Sequence, residues 1–136
     1  MIERLIYNEV VFDDLGFQAT GRAYTRVEWS QIRRVAMGHQ VDEMALEDCY
    51  FWAFQTDDPD RLIEVQIETV SMMHFDQEIR RRFDVTSIPP AKDFVDTKFP
   101  IRTYIVYPKA ERGQALYSIK TRRWCFWKGD ISFARP

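Results

Sequence analysis

The sequence has few of the residues that mark specialised classes of protein. Only two cysteines occur in 136 residues, Cys49 and Cys125, and each is flanked by aromatic residues. Two cysteines cannot form a disulfide framework, so we expect buried thiols. No stretch approaches the roughly 20 apolar residues needed to cross a bilayer, and the first residues lack the basic start and apolar run of a secretory signal. We therefore expect a cytoplasmic protein with no membrane association.

The chain also lacks a large excess of charge of either sign. Its 19 basic and 21 acidic residues give a net charge of -2, which disfavours nucleic acid and anionic membranes as partners. No nucleophile motif, phosphate-binding glycine loop or zinc-ligand spacing occurs. The sequence thus predicts no catalytic residue, no cofactor and no metal, and an enzyme of an unusual kind is the case left open.

Apolar and aromatic residues are abundant. They make up 46% and 15% of the chain, which is ample for a packed core in a chain of this length. Apart from the adjacent prolines at 89 and 90, glycine and proline fall singly at expected turns, and there is no linker or repeat. Residues 1–136 are therefore predicted to form a single domain.

Hydrophobic patterns predict mainly strands in the first half. Residues 9–12 and a strand through Phe17 and Ala19 flank a turn at residues 13–16, with a second turn at Gly21. Residues 26–32 predict one helical turn that leads into a strand at 33–37 and anchors Trp29 in the core. The run at 49–54 is apolar on both faces, as in a central strand. In residues 62–68, Glu64 and its polar neighbours alternate with apolar residues, which predicts a half-buried strand.

The second half begins with a change of period. Met72, Phe75, Ile79 and Phe83 predict an amphipathic helix over residues 71–83, capped by Thr69 or Ser71 and ended by the prolines at 89 and 90. Strands are predicted at residues 101–107, 115–120 and 124–127. A turn at residues 128–130 would then lead to a last strand at 131–133, closing an antiparallel hairpin.

Three segments together resemble a known superfamily. The run EWSQIRRV at residues 28–35 is similar to the W-x-x-I-x-x-V pattern that leads into a central strand of bacterial pleckstrin-homology-like domains, which are related to PH and GRAM domains. The run DCYFWAF at residues 48–54 is similar to their aromatic strand, and residues 63–67 are followed directly by the amphipathic helix. The resemblance covers roughly residues 9–90.

The resemblance implies an α+β fold. We expect an antiparallel, strongly bent sheet or a PH-like, partly open β-barrel, capped by one amphipathic helix, with an additional C-terminal β-hairpin. Such domains are generally non-catalytic and bind proteins, or phosphoinositides in some members, and several bacterial relatives resemble immunity proteins that neutralise a toxin. Asp13 and Asp14 stand where lipid-binding members carry basic residues, so phosphoinositide binding is not expected. The tail after Pro90 predicts either extra strands or a hairpin that forms a homodimer.

Histidine, carboxylate and arginine residues supply the rival hypothesis. His74 lies near Asp76, and His39 lies near Asp42 and Glu43, but a metal site normally needs three convergent ligands. The aspartates of the turn at residues 57–60 lack the spacing of a calcium loop. An arginine-rich face beside Trp124 and Trp127 would suit single-stranded nucleic acid. Its members would be Arg33, Arg34, Arg80, Arg81, Arg82, Arg122 and Arg123. The alternative function is therefore a small nucleic-acid-binding or nucleic-acid-processing protein that uses these arginines and His74.

An acidic loop is the preferred binding surface. Its residues are Asp42, Glu43, Glu47 and Asp48, next to the aromatic strand. Negative charge would steer the chain towards a basic protein such as a nuclease toxin, although a solvated loop that keeps the domain soluble would have the same composition. Trp124 and Trp127, if exposed, are candidate anchors for the same partner. The leading hypothesis is a non-enzymatic protein-binding module of the immunity or adaptor kind.

Overall fold

The computed structural model describes residues 2–20, 25–42, 47–67, 72–85, 101–122 and 125–135. Within these residues the chain forms ten strands and one α-helix. The strands are β1 (Glu3–Tyr7), β2 (Glu9–Phe12), β3 (Gly16–Thr20), β4 (Thr25–Glu28), β5 (Ile32–Asp42), β6 (Glu47–Thr56), β7 (Arg61–Gln66), β8 (Ile101–Tyr107), β9 (Tyr117–Arg122) and β10 (Cys125–Phe133), and the helix is α1 (Met73–Arg82). The predicted α+β class is confirmed.

A five-stranded sheet forms the middle of the fold. Its strand order is β1-β7-β6-β5-β8, and β6 lies at its centre, as the apolar run at 49–54 predicts. Every pairing in this sheet is antiparallel except that of β1 with β7, which is parallel, so the sheet is mixed. Strand β1 has no counterpart among the strands predicted from the sequence. In the part of the chain that the structure describes, no sheet closes into a barrel.

One face of this sheet is covered by α1 and by the three-stranded sheet β2-β3-β4. Phe17 from β3, Trp52 and Phe54 from β6 and Phe75 from α1 are all buried in one hydrophobic cluster. The Phe17 ring lies 5.0 Å from that of Phe54 and 5.2 Å from that of Phe75, which fixes how the three layers pack. These aromatic side chains fill the interior between the layers.

The ends of α1 differ slightly from the prediction. The apolar stripe of Phe75, Ile79 and Phe83 is buried as expected. The N-cap is Met72, whereas the predicted caps Thr69 and Ser71 lie outside the described residues. The predicted helical turn before β5 is a 3₁₀ turn at Trp29–Gln31, and Trp29 packs half-buried at the margin of the core with its indole N–H bonded to the carbonyl oxygen of Asp13.

The opposite face of the central sheet is covered by β9 and β10. Leu116 and Tyr117 are buried there against Phe51 and Ile105, with Phe133 partly buried beside them. The two strands pair antiparallel. The predicted turn at residues 128–130 is wrong, because these residues belong to β10, whose pairing with β9 shifts register between Cys125 and Gly129.

Gly38 in β5 is required by the packing on this face. It lies opposite Phe51 of β6, and a Cβ atom added at Gly38 would overlap the Phe51 ring. We expect Gly38→Ala to lower the free energy of unfolding by about 1–3 kcal/mol, the usual cost of overpacking. In urea unfolding, Gly38→Ala combined with Phe51→Leu should cost less than the sum of the single variants, because the overlapping ring is gone. Additive losses would contradict this account.

The turn between β2 and β3 depends on the Asp13 carboxylate. A hydrogen bond from Arg26 at 2.9 Å and bonds from the backbone N–H groups of Leu15 and Gly16 lower the pKa of Asp13 from 3.8 to about 2. Because the folded-state pKa is depressed, its contribution to stability is complete above the unfolded value and is lost as the pH falls from about 4 to about 2. We expect the urea midpoint of Asp13→Asn to fall less between about pH 4 and about pH 2 than that of the wild type. Asp14→Asn, the control for removing one charge, should leave the wild-type slope.

Candidate functional site

The β5–β6 hairpin extends beyond the strands on either side of it. β5 pairs with β6 as far as Asp42 opposite Glu47, whereas the described pairing of β8 with β5 reaches Gln40, opposite Ile101. On the other side, the pairing of β7 with β6 ends at Phe51, followed by one bond from the Ile67 N–H to the Tyr50 carbonyl oxygen. We call residues 41–42 and 47–48, which pair with each other beyond the described ends of both neighbouring pairings, the projecting end of the hairpin.

Three of the four predicted acidic residues lie at this projecting end. Asp42 lies directly opposite Glu47, Asp48 lies opposite Val41, and Glu43 falls outside the described residues. Residues 35–50 contain no lysine or arginine. Like charges opposite each other in antiparallel strands are destabilising, so the stability of the hairpin does not explain this arrangement. Asp42, Glu47 and Asp48 of the predicted acidic loop belong to strands β5 and β6.

An aromatic and imidazole pair lies at the base of the projecting end. His39 is buried and lies opposite Tyr50, with ring centroids 4.9 Å apart, and Tyr50 is 37% exposed. Arg102 of β8 is the register partner of His39 on the other side. Cys49 is half-buried, not fully buried as predicted. The thiol of Cys125 is outside what the structure describes.

The helix arginines are paired with carboxylates. Arg80 donates to Asp76 at 3.0 Å, and both Arg81 and Arg82 contact Glu78, where the bond from Arg81 lowers the pKa of that carboxyl. Asp76 also accepts a bond of 2.8 Å from the indole N–H of Trp52. These ion pairs neutralise much of the positive charge that the rival hypothesis needs at α1.

Of the other predicted arginines, Arg33 and Arg34 are described with their side chains, and they have other partners. Arg34 is buried and forms an ion pair of 2.7 Å with Glu111, while Arg33 is exposed and donates to the carbonyl oxygen of Ser30. Only the backbone of Arg122 is described, and Arg123 lies outside the described residues. Among the described residues, Arg80, Arg81 and Arg82 pair with carboxylates of α1, and Arg34 pairs separately with Glu111.

The two predicted tryptophan anchors are only partly located. Trp124 lies outside the described residues, and Trp127 is placed by its backbone in β10. The buried base of the same sheet, at Leu116 and Tyr117, packs on the central sheet. The relation of the tryptophans to the acidic hairpin stays a prediction.

The structure contains a buried polar network around Glu64 that the sequence did not predict. The Glu64 side chain is 1% exposed and accepts bonds from Arg4 Nε at 2.9 Å, Arg4 Nη2 at 2.8 Å and the Tyr117 hydroxyl at 2.9 Å. Burial, and then the charge of Glu64, raises the pKa of the Tyr117 hydroxyl. Burial alone would lower the pKa of Arg4, but the hydrogen bond and charge of Glu64 raise it overall. These hydrogen bonds join β1, β7 and β9.

The network corrects the prediction for β7. The alternating pattern places Glu64 on a solvated face, but in the structure residues 62–65 are all buried. The β9–β10 sheet covers the face that the alternating pattern assigns to solvent. The only sequence signal is Arg4, the one basic residue of strand β1, which is followed directly by Leu5 and Ile6.

Other kinds of site are not built from the described residues. His74 is exposed on α1, whereas His39 is buried in β5, and no group of three or more His, Cys, Asp or Glu side chains in the described part of the chain could hold a metal ion. No helix in those residues has both the length and the apolar character to cross a bilayer. Comparisons with protein-family models, with curated proteins and with solved structures give no match.

Proposed function

We propose that this protein is a non-enzymatic binding module that recognises a basic protein partner through the projecting end of the β5–β6 hairpin. The observation that carries the proposal is the placement of Asp42 opposite Glu47 beyond the described ends of the neighbouring strands, in a stretch without lysine or arginine. This arrangement opposes hairpin stability, and a basic partner would relieve the repulsion between the carboxylates.

The surroundings of the hairpin end support a protein as the partner. A surface with charges of a single sign steers a partner of opposite charge and speeds their encounter. Tyr50, 37% exposed at the base, offers the kind of aromatic anchor that is common in binding hot spots. Charge would supply steering and specificity, and the aromatic ring would supply apolar contact area.

The most concrete form of this function is a bacterial immunity or adaptor protein with a PH-like fold. Its support is the resemblance over residues 9–90. The segments that carry the resemblance form a 3₁₀ turn at Trp29–Gln31 that leads into β5, and an aromatic strand, β6, at the centre of the sheet. A toxin with a basic surface is the partner that this form requires. Self-association through the C-terminal strands is a separate proposal, and sedimentation of the purified chain tests it.

A matched pair of charge variants tests the proposal. In the hairpin variant, Asp42→Asn, Glu43→Gln, Glu47→Gln and Asp48→Asn remove four negative charges. A protein captured from host extract by the tagged wild-type chain is purified, and its association rate is measured with each form at low salt. We expect the hairpin variant to associate roughly tenfold or more slowly, because four steering charges are gone. Its urea midpoint should be equal to or above that of the wild type, since like-charge repulsion is relieved.

The control variant changes the net charge equally at other places. Glu3→Gln, Asp14→Asn, Asp57→Asn and Asp60→Asn are all exposed substitutions, and residues 57–60 follow the opposite end of β6. This variant should associate within about twofold of the wild type, because its changes lie away from the hairpin end. Equal losses in both variants, or no loss in the hairpin variant, would overturn the assignment of the site.

The rival function predicts a different result. A nucleic-acid-binding protein would bind labelled single-stranded RNA or DNA with an affinity that falls steeply with salt. Neutralising the hairpin carboxylates would then strengthen binding, because fewer negative charges would repel the phosphates. That outcome, together with loss of binding or activity in His74→Ala, would replace the proposed function with the rival one.

A further inference from the structure

We draw no further inference here: the strongest candidate, the groove of about 320 Å³ between strand β2 and Met72 at the start of helix α1, is an unpartnered and partly apolar surface, and nothing in the structure shows what covers it.

Discussion

Glu64→Ala is expected to lower the free energy of unfolding by about 3–5 kcal/mol. The substitution removes the acceptor of both Arg4 bonds and of the Tyr117 hydroxyl bond, and it leaves a cavity in a site where Glu64 is 1% exposed. Removing one member of a buried ion pair is costly, because the remaining charge stays desolvated without a partner. Since Arg4 is 24% exposed and can recover some hydration, the lower half of that range is expected. Urea unfolding at neutral pH measures the loss.

Two further variants separate the network from a general effect of removing a carboxylate. Glu9→Ala removes an exposed glutamate from β2 and should change the free energy of unfolding by less than about 0.5 kcal/mol. A triple variant, Arg4→Met with Glu64→Leu and Tyr117→Phe, replaces the whole network by apolar side chains and should recover most of the loss. If Glu64→Ala were no more destabilising than Glu9→Ala, the network would have no part in holding the layers together.

The local elements could be predicted from the sequence because their signals are local. The Asp13–Gly16 turn, the short helical turn at Trp29 and the stripe of Phe75 and Ile79 depend on neighbouring residues, and the structure confirms all three. The central position of β6 also follows from its composition, since a strand with apolar residues on both faces needs a layer on each side.

The packing of the layers could not be predicted in the same way. Arg4 and Glu64 are 60 residues apart, and their pairing depends on the parallel contact of β1 with β7. The alternation of residues along β7 predicts that Glu64 faces solvent. In the structure β9 and β10 cover that face, and the pattern in β7 contains no sign of this. Alternation of apolar and polar residues identifies a strand, but it does not show whether another layer packs on the polar face of that strand.

The candidate site was predicted in its composition but not in its geometry. The acidic residues at 42–48 are visible in the sequence, whereas the opposition of Asp42 and Glu47 requires the register of β5 and β6. For the predicted arginine-rich face, neither the burial nor the partners of the arginines could be predicted from the sequence. Arg34 and Arg80 both lie in runs of consecutive arginines. Arg34 is buried and paired with Glu111, whereas Arg80 is paired with Asp76 on the surface of α1.

Trp52→Ala should also lower the free energy of unfolding by about 3–5 kcal/mol, because it empties the largest fully buried side-chain site of the core. Trp52 lies on β6 beneath α1, and its indole N–H donates to Asp76 at 2.8 Å. The Arg80 guanidinium carbon lies 5.7 Å from the indole centroid, within the range of a cation–π contact. The same substitution thus removes core volume and a polar contact between the helix and the sheet. Urea unfolding followed by far-UV circular dichroism measures the loss without depending on the altered fluorophore.

Trp52→Phe separates volume from hydrogen bonding, and it also separates stability from binding. It keeps most of the apolar contact but leaves Asp76 without the indole donor, so the loss should fall between that of Trp52→Ala and that of the exposed control Met73→Ala, which should be below about 0.5 kcal/mol. A loss below about 1 kcal/mol for Trp52→Ala would contradict the packing role.

If aromatic residues fill the interior and carboxylates recognise the partner, folded Trp52→Phe should associate at the wild-type rate despite its lower stability. The hairpin variant should show the reverse combination, because its changes lie at the projecting end and not in the core.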